Sequence, residues 1–108
     1  MTDKLKAIET KTARGRILRL LHIVYPGPAE GRTITNIMIQ EGRPVADMAK
    51  YIDYLVHKGY VKAISEEHAE QILKGVVPPT AFFKLTPHGV DLLEGTIKDP
   101  GVDLGHDV

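Results

Sequence analysis

The ten residues YLVHKGYVKA, at positions 54–63, constrain the fold most because the residue periodicity changes there at a single glycine. Upstream, apolar residues recur at the spacing of a helix: Met48, Ile52, Leu55 and Val56. Downstream, residues 60–65 follow the alternation of a strand. Gly59 can adopt the left-handed conformation that commonly ends a helix. The stretch therefore predicts a helix that ends at Lys58 and a strand that starts directly after Gly59.

Two more helices are predicted upstream of this one. The first covers about residues 13–25, and its apolar face repeats at helical spacing: Ile17, Leu20, Leu21 and Val24. Leu5 and Ile8 indicate an earlier start, with a break near Gly15, and the proline-rich residues 26–28 end the helix. The second helix is predicted to follow an extended piece at residues 32–34, with Thr35 as its N-cap and Gly42 at its end.

The sequence also predicts how the second helix packs and where the third helix starts. Ile34 before the cap and Ile39 in the helix are expected to form a hydrophobic staple, while Ile37 and Met38 face the core. Pro44 suits the first turn of the third helix, because the N–H groups of a first turn lack helical partners. Asp47 would then also lie in the first turn, where negative charge suits the helix dipole.

The C-terminal half predicts a hairpin and a last helix. TAFFKLT, at positions 80–86, is expected to pair with the strand after Gly59, with Phe83 and Leu85 on one side. The acidic excursion at residues 66–80 can either extend this hairpin or form a separate turn. Thr86 and Pro87 are expected to start a helix that Gly95 closes. The division is one domain over residues 1–95 and an acidic, flexible tail over residues 96–108.

Composition limits the class of protein. The 108 residues are 43% hydrophobic with zero formal net charge, which fits one domain with a modest core. Six basic residues and one acidic residue lie between positions 4 and 19, whereas the end of the chain is acidic. The absence of cysteine excludes disulfides and thiolate chemistry. The charged N-terminus does not resemble a signal peptide, and no apolar run reaches the roughly 20 residues that span a bilayer, so we expect a cytoplasmic protein.

The order of elements predicts a helix-turn-helix followed directly by a hairpin. MAKYIDYLVHKGYVKA resembles the end of the recognition helix in small winged-helix regulators of the multiple-antibiotic-resistance and arsenical-repressor kinds. LTPHGVDLLEG is similar to the segment in which their second wing strand enters a closing helix. With the later PGVDLG, the chain also resembles short winged-helix proteins of Mu-like phages and prophages. Over residues 13–95 the resemblance implies an α+β winged helix-turn-helix with a three-helix core, a β-hairpin wing and a C-terminal helix.

The resemblance also implies binding of double-stranded DNA by the third helix, as a transcriptional regulator and a homodimer. Carried onto this chain, the outward positions of that helix are Arg43, Val45, Ala46, Ala49, Lys50, Asp53 and Tyr54. Arg43 would reach guanine, and Lys50 a phosphate or guanine. Residues expected to contact phosphates at the start of the second helix are Thr33, Thr35 and Asn36. A flank facing the DNA backbone would comprise Arg14, Arg16 and Arg19.

Other interpretations of the same residues stay open. Asp47 and Asp53 place carboxylates on the predicted reading helix, and the wing is acidic, which favours a dimeric protein-interaction module that does not bind DNA. Arg43 and Lys50 also fit ordinary solvated residues, and Tyr54 fits packing against the wing or a second subunit. No histidine pair has the spacing of a zinc site, and no phosphate loop or serine nucleophile motif occurs. We therefore expect no catalysis, no metal and no cofactor.

Overall fold

The computed structural model describes residues 2–64, 72 and 74–105, and these form an α+β domain with four helices and one antiparallel three-stranded sheet. The elements in chain order are α1 (Thr2–Val24), β1 (Ala29–Glu30), α2 (Gly31–Gln40), α3 (Met48–His57), β2 (Val61–Ala63), β3 (Phe82–Leu85) and α4 (Pro87–Leu93). The strand order is β1-β3-β2. Among the described helices, none is both long enough and apolar enough to cross a membrane.

The first helix is longer than predicted and does not break at Gly15. It runs without interruption from Thr2 to Val24, and its buried residues lie in the second half: Ala13, Ile17, Leu18, Leu20 and Leu21. Val24, predicted on the apolar face, is exposed. Gly15 has a packing role, because a Cβ at this position would clash with the backbone carbonyl of Asp103. The glycine therefore allows a second chain segment to lie directly against the helix.

The second helix begins earlier than predicted. Its first residue is Gly31 and its N-cap is Glu30, so Thr35 lies inside the helix, and residues 32–34 are helical instead of extended. The backbone N–H of Gly31 donates to the carbonyl of Ala81 at 2.7 Å, and that of Arg32 to the carbonyl of Pro79 at 3.3 Å. These distant carbonyls replace the side-chain cap that the sequence predicted.

The packing expectations for this helix have mixed outcomes. The staple is wrong, because Ile34 is buried whereas Ile39 is 52% exposed. Met38 is fully buried and Ile37 packs against the core, as predicted.

The third helix starts later than predicted but ends where the sequence indicates. Pro44 lies in an irregular connection over residues 41–47, and Asp47 occupies the N-cap position before Met48. Lys58 is the C-cap residue, and Gly59 has a φ of +80°, which confirms the predicted left-handed cap. Three of the four predicted stripe residues are buried and the fourth packs at the edge of the core: Met48, Ile52, Leu55 and Val56.

The predicted hairpin is confirmed over the described strands. Val61 pairs with Leu85, Lys62 with Lys84 and Ala63 with Phe83. Phe83 and Leu85 are buried on the same side of the sheet, as expected. Four residues that mark the acidic excursion lie outside the described residues: Glu66, Glu67, His68 and Glu70. Residues 74–80 are described, and they form turns and irregular structure without adding to the strands.

The last helix has the predicted cap, but the segment after it differs from a flexible tail. The Thr86 hydroxyl accepts a hydrogen bond from the Gly89 N–H at 3.1 Å, and Gly95 has a φ of +80°. Residues 96–105, which we call the C-terminal strap, pack against α1. Val102 is 8% exposed, and the Asp103 N–H donates to the Lys11 carbonyl at 3.0 Å. Residues 96–105 therefore pack as part of the domain, and residues 106–108 of the predicted tail lie outside the described residues.

Candidate nucleic-acid interface

The solvent-facing stripe of α3 is narrower than predicted. Lys50 is 82% exposed, and Asp53 and His57 continue the same face at positions i+3 and i+7. His57 Nδ1 lies 3.1 Å from Asp53 Oδ1 and 2.9 Å from the Asp53 backbone carbonyl oxygen, and Lys50 Nζ lies 3.8 Å from an Asp47 oxygen. With His57 neutral, the stripe itself carries one positive and one negative formal charge.

Two other positions predicted on this helix lie elsewhere in the fold. Ala49 is only 4% exposed, so it belongs to the core and cannot reach a base edge. Tyr54 is half-buried under the guanidinium of Arg14, whose Cζ lies 3.6 Å from the ring centroid. Tyr54 was expected to face outward because its packing against Arg14 of α1 and Asp99 of the strap was not visible in the sequence, whereas Ala49 lies at helical spacing from the buried Ile52.

Arg43 and Arg16 meet on one carboxylate. Arg16 Nε lies 2.9 Å and 3.0 Å from the two Glu41 oxygens, and Arg43 Nε lies 3.0 Å from Oε1. The hydrogen bond from Arg16, helped by Arg43, lowers the pKa of Glu41 to about 2, although desolvation opposes that shift. Two predicted DNA contacts are thus held in an intramolecular ion-pair network, which restrains their guanidinium groups.

The predicted flank on α1 is engaged by the C-terminal strap. Arg14 Nη1 donates to the Gly101 carbonyl at 3.0 Å, and Arg19 Nε donates to the Leu104 carbonyl at 3.0 Å. One nitrogen of each side chain, Nε of Arg14 and Nη2 of Arg19, is buried without a hydrogen-bond partner among the described residues. Arg14 and Arg19 therefore anchor the strap, and Arg16 pairs with Glu41, whereas the lysines of the basic run, Lys4, Lys6 and Lys11, stay exposed.

Asp99 is the polar centre of the strap. Its carboxylate accepts from the Tyr60 hydroxyl at 2.7 Å and from the Gly101 N–H at 2.7 Å, with the Tyr54 hydroxyl at 3.4 Å and Lys58 Nζ at 3.7 Å. Burial acts to raise the pKa of Asp99, but the hydrogen bonds from Tyr60 and Gly101 and the charge of Lys58 leave it below its ordinary value. Desolvation and the nearby carboxylate raise the pKa of Tyr60.

The outer side of α2 presents side chains but not its first N–H groups. Thr33 and Asn36 are exposed, and Thr35 is half-buried. Since the Gly31 and Arg32 N–H groups already have carbonyl partners, contacts to phosphate from this end depend on side chains. Thr35 and Val77 line two adjoining shallow clefts, which connect α2 with the start of α3 and with segment 75–79. Val45 and Ala46 lie in the cleft nearer α3.

Sequence reasoning missed the cations on the outer face of the sheet and on α2. Lys62 and Lys84 are directly opposite each other in β2 and β3, on the face away from Phe83 and Leu85. Like charges in this arrangement destabilise a sheet unless an anion lies between them. Arg32 contributes a third cation, with its side chain 55% exposed and 3.6 Å from a Glu30 oxygen. The alternation in FFKL already placed Lys84 opposite the buried face, but the pairing with Lys62 required the register.

Comparison with known proteins finds no match to this chain: no family model, no curated protein and no solved structure. The features that matter are the exposed stripe of α3, the outer side of α2 and the lysine pair on the sheet.

Proposed function

We propose that this protein is a winged helix-turn-helix protein that binds double-stranded DNA as a small cytoplasmic transcriptional regulator, encoded by a phage or prophage. One observation carries the proposal: α3 ends at Gly59 and continues directly into a hairpin whose outer face bears Lys62 opposite Lys84. The helix pair α2–α3 precedes this hairpin in the order that a winged helix requires. The phage origin rests on the sequence resemblance alone.

On this proposal α3 enters the major groove with its exposed stripe. Lys50 contacts a phosphate or a guanine, and Asp53 accepts from the amino group of a cytosine. Ala46, exposed just before the helix, offers an apolar contact to a thymine methyl. Thr33 and Asn36 hydrogen-bond to phosphates on one side, and the lysines of the sheet contact phosphates on the other. The contact set excludes Ala49, Tyr54 and the arginines held by Glu41 and the strap.

The electrostatics of this surface lead to a measurable salt dependence. Each cation that neutralises a phosphate contributes a slope of about −0.9 to the dependence of log K on log salt. Four cations are available on the proposed surface, which are Arg32, Lys50, Lys62 and Lys84. If each contacts one phosphate, the slope is about −3.6. Such a slope is modest, as expected for a chain with zero formal net charge.

The test is a fluorescence-anisotropy titration of labelled promoter-region duplexes at several salt concentrations. The double substitution Lys62→Ala and Lys84→Ala should weaken binding to all duplexes and reduce the salt slope by about 1.8. Lys98→Ala is the matched control, because Lys98 is an exposed lysine on the strap and outside the proposed surface. No binding at low salt, or an affinity that does not respond to salt, contradicts the proposal.

A second candidate function is a dimeric protein-interaction module, and α1 supplies the observation that favours it. Leu5 and Ile8 are 61% and 54% exposed and lie three residues apart on the helical turns that extend beyond the core. Two such helices from two copies can bury these side chains against each other. Light scattering after size exclusion should give a dimer for the natural chain and a monomer for Leu5→Ser with Ile8→Ser. A monomer at micromolar concentration in the natural chain refutes the dimer.

A further inference from the structure

A cleft of about 300 Å³ lies between α1, the connection 41–47 and the C-terminal strap. Its polar lining is unusually rich in arginine: Arg16, Arg19 and Arg43, with Thr12, Glu41 and Asp103. Its three guanidinium groups and two carboxylates give the cleft a net formal charge of +1. The cleft is thus cationic within a chain that is neutral as a whole.

The guanidinium groups are only partly satisfied by the protein. Glu41 engages Nε and Nη2 of Arg16 and Nε of Arg43, which leaves the outer nitrogens of Arg43 available at a side chain that is one-third exposed. Arg19 donates Nε to the Leu104 carbonyl, and its Nη2 is buried with no partner among the described residues. A buried guanidinium nitrogen without an acceptor costs free energy, so a nearby anion would stabilise the charge of Arg19.

We propose that this cleft binds the phosphate group of a small molecule, with Arg43 as the main donor and Arg16 and Arg19 as supporting charges. A guanidinium matches the oxygens of a phosphate with two parallel N–H donors, and its charge strengthens each bond. Three guanidinium groups, two from α1 and one from the connection 41–47, suit the several oxygens of one phosphate, while Glu41 keeps those of Arg16 and Arg43 in place. The volume of the cleft is at the lower end for small-molecule sites. This inference does not depend on DNA binding.

The direct test is a ³¹P NMR titration of the full chain with inorganic phosphate, with sodium chloride adjusted to keep the ionic strength constant. The natural chain should show saturable binding. Arg43→Gln removes the most accessible donor and should weaken phosphate binding about 10- to 100-fold. Lys4→Gln is the control, since it removes one exposed positive charge of α1 outside both the cleft and the proposed DNA surface, and it should leave phosphate binding unchanged.

Glu41→Gln separates a ligand site from a structural ion pair. This change removes the competing carboxylate and raises the net charge of the cleft to two, so a folded variant should bind phosphate more tightly than the natural chain. Absence of saturable binding, weaker binding by folded Glu41→Gln, or equal losses in Lys4→Gln and Arg43→Gln would overturn the proposal.

An anisotropy titration with duplex DNA distinguishes the source of the phosphate. DNA affinity that is unchanged in Arg43→Gln supports a small-molecule site. A loss of DNA affinity as large as the loss of phosphate affinity reassigns the cleft to the DNA backbone and refutes a small-molecule site.

Discussion

Asp99→Ala should destabilise the domain more than any other substitution of a carboxylate in the strap. The change removes two short hydrogen bonds to a buried charge, from the Tyr60 hydroxyl and from the Gly101 N–H, both at 2.7 Å. Hydrogen bonds to charged groups contribute about 1.5–3 kcal/mol each, and the relief of carboxylate desolvation offsets part of that sum. We therefore expect a loss of about 3 kcal/mol, or a Tm lower by roughly 12 °C or more.

The assay is urea unfolding followed by far-UV circular dichroism at pH 7. Asp103→Ala is the matched control, because it makes the same chemical change in the same segment. The Asp103 carboxylate is exposed and accepts only the Gly105 N–H among the described groups, so its loss should cost less than about 1 kcal/mol. Equal destabilisation by the two substitutions would refute the idea that Asp99 anchors the strap.

The pH dependence gives an independent check on the same carboxylate. The pKa of Asp99 in the folded state lies below its ordinary value. The stabilisation that ionised Asp99 gives the folded state is therefore complete at a pH above the ordinary pKa, and it is lost as the pH falls through the folded-state pKa. The stability difference between the natural chain and Asp99→Asn should therefore be constant between about pH 5 and pH 7 and should shrink below about pH 4. A difference that grows on acidification would contradict this account.

Two further substitutions test the contacts of α1. Gly15→Ala places a Cβ against the Asp103 carbonyl and should lower the unfolding free energy by about 1–3 kcal/mol, although alanine itself favours a helix. Glu9→Ala is the control, because it changes an exposed residue of the same helix and should alter the unfolding free energy by less than about 0.5 kcal/mol. Glu41→Gln should lower the Tm at pH 7, because it removes the ion pairs with Arg16 and Arg43. The difference in Tm between this variant and the natural chain should vanish as the pH falls from 4.5, the ordinary pKa of Glu41, to about 2, its pKa in the folded state. Thermal scans across this pH range measure it.

Elements defined by local chemistry were predictable from the sequence. Gly59 ends α3 and Thr86 caps α4 because a positive φ and a hydroxyl acceptor act over a few residues. The start of α2 was not predictable in this way. Its first N–H groups bond to the carbonyls of Pro79 and Ala81, nearly fifty residues further along the chain, so no nearby residue type signals the helix start.

The strap was missed for a related reason. Its glycine, aspartate and proline residues are typical of a flexible tail, and one apolar residue, Val102, is too weak a pattern to indicate packing. What holds the strap is a set of distant polar contacts: Asp99 with Tyr60, and the carbonyls of Gly101 and Leu104 with arginines of α1. The same arginines had been expected to face DNA, and in the structure they donate to carbonyls of the strap. The exposure of Lys50 depended only on helical periodicity and was confirmed.

These assignments limit how the proposed protein can recognise DNA. The arginines of α1 and Arg43 have intramolecular partners, so the cations left on the proposed surface are three lysines and Arg32. Lysine binds phosphate as a point charge and lacks the rigid paired donors with which arginine reads guanine. Backbone contacts should therefore supply most of the affinity, and discrimination between sequences should depend on Asp53. Asp53→Ala should reduce the difference in affinity between duplexes of different sequence and leave the salt slope unchanged. Removal of Lys62 and Lys84 should reduce the salt slope and leave that difference in affinity unchanged.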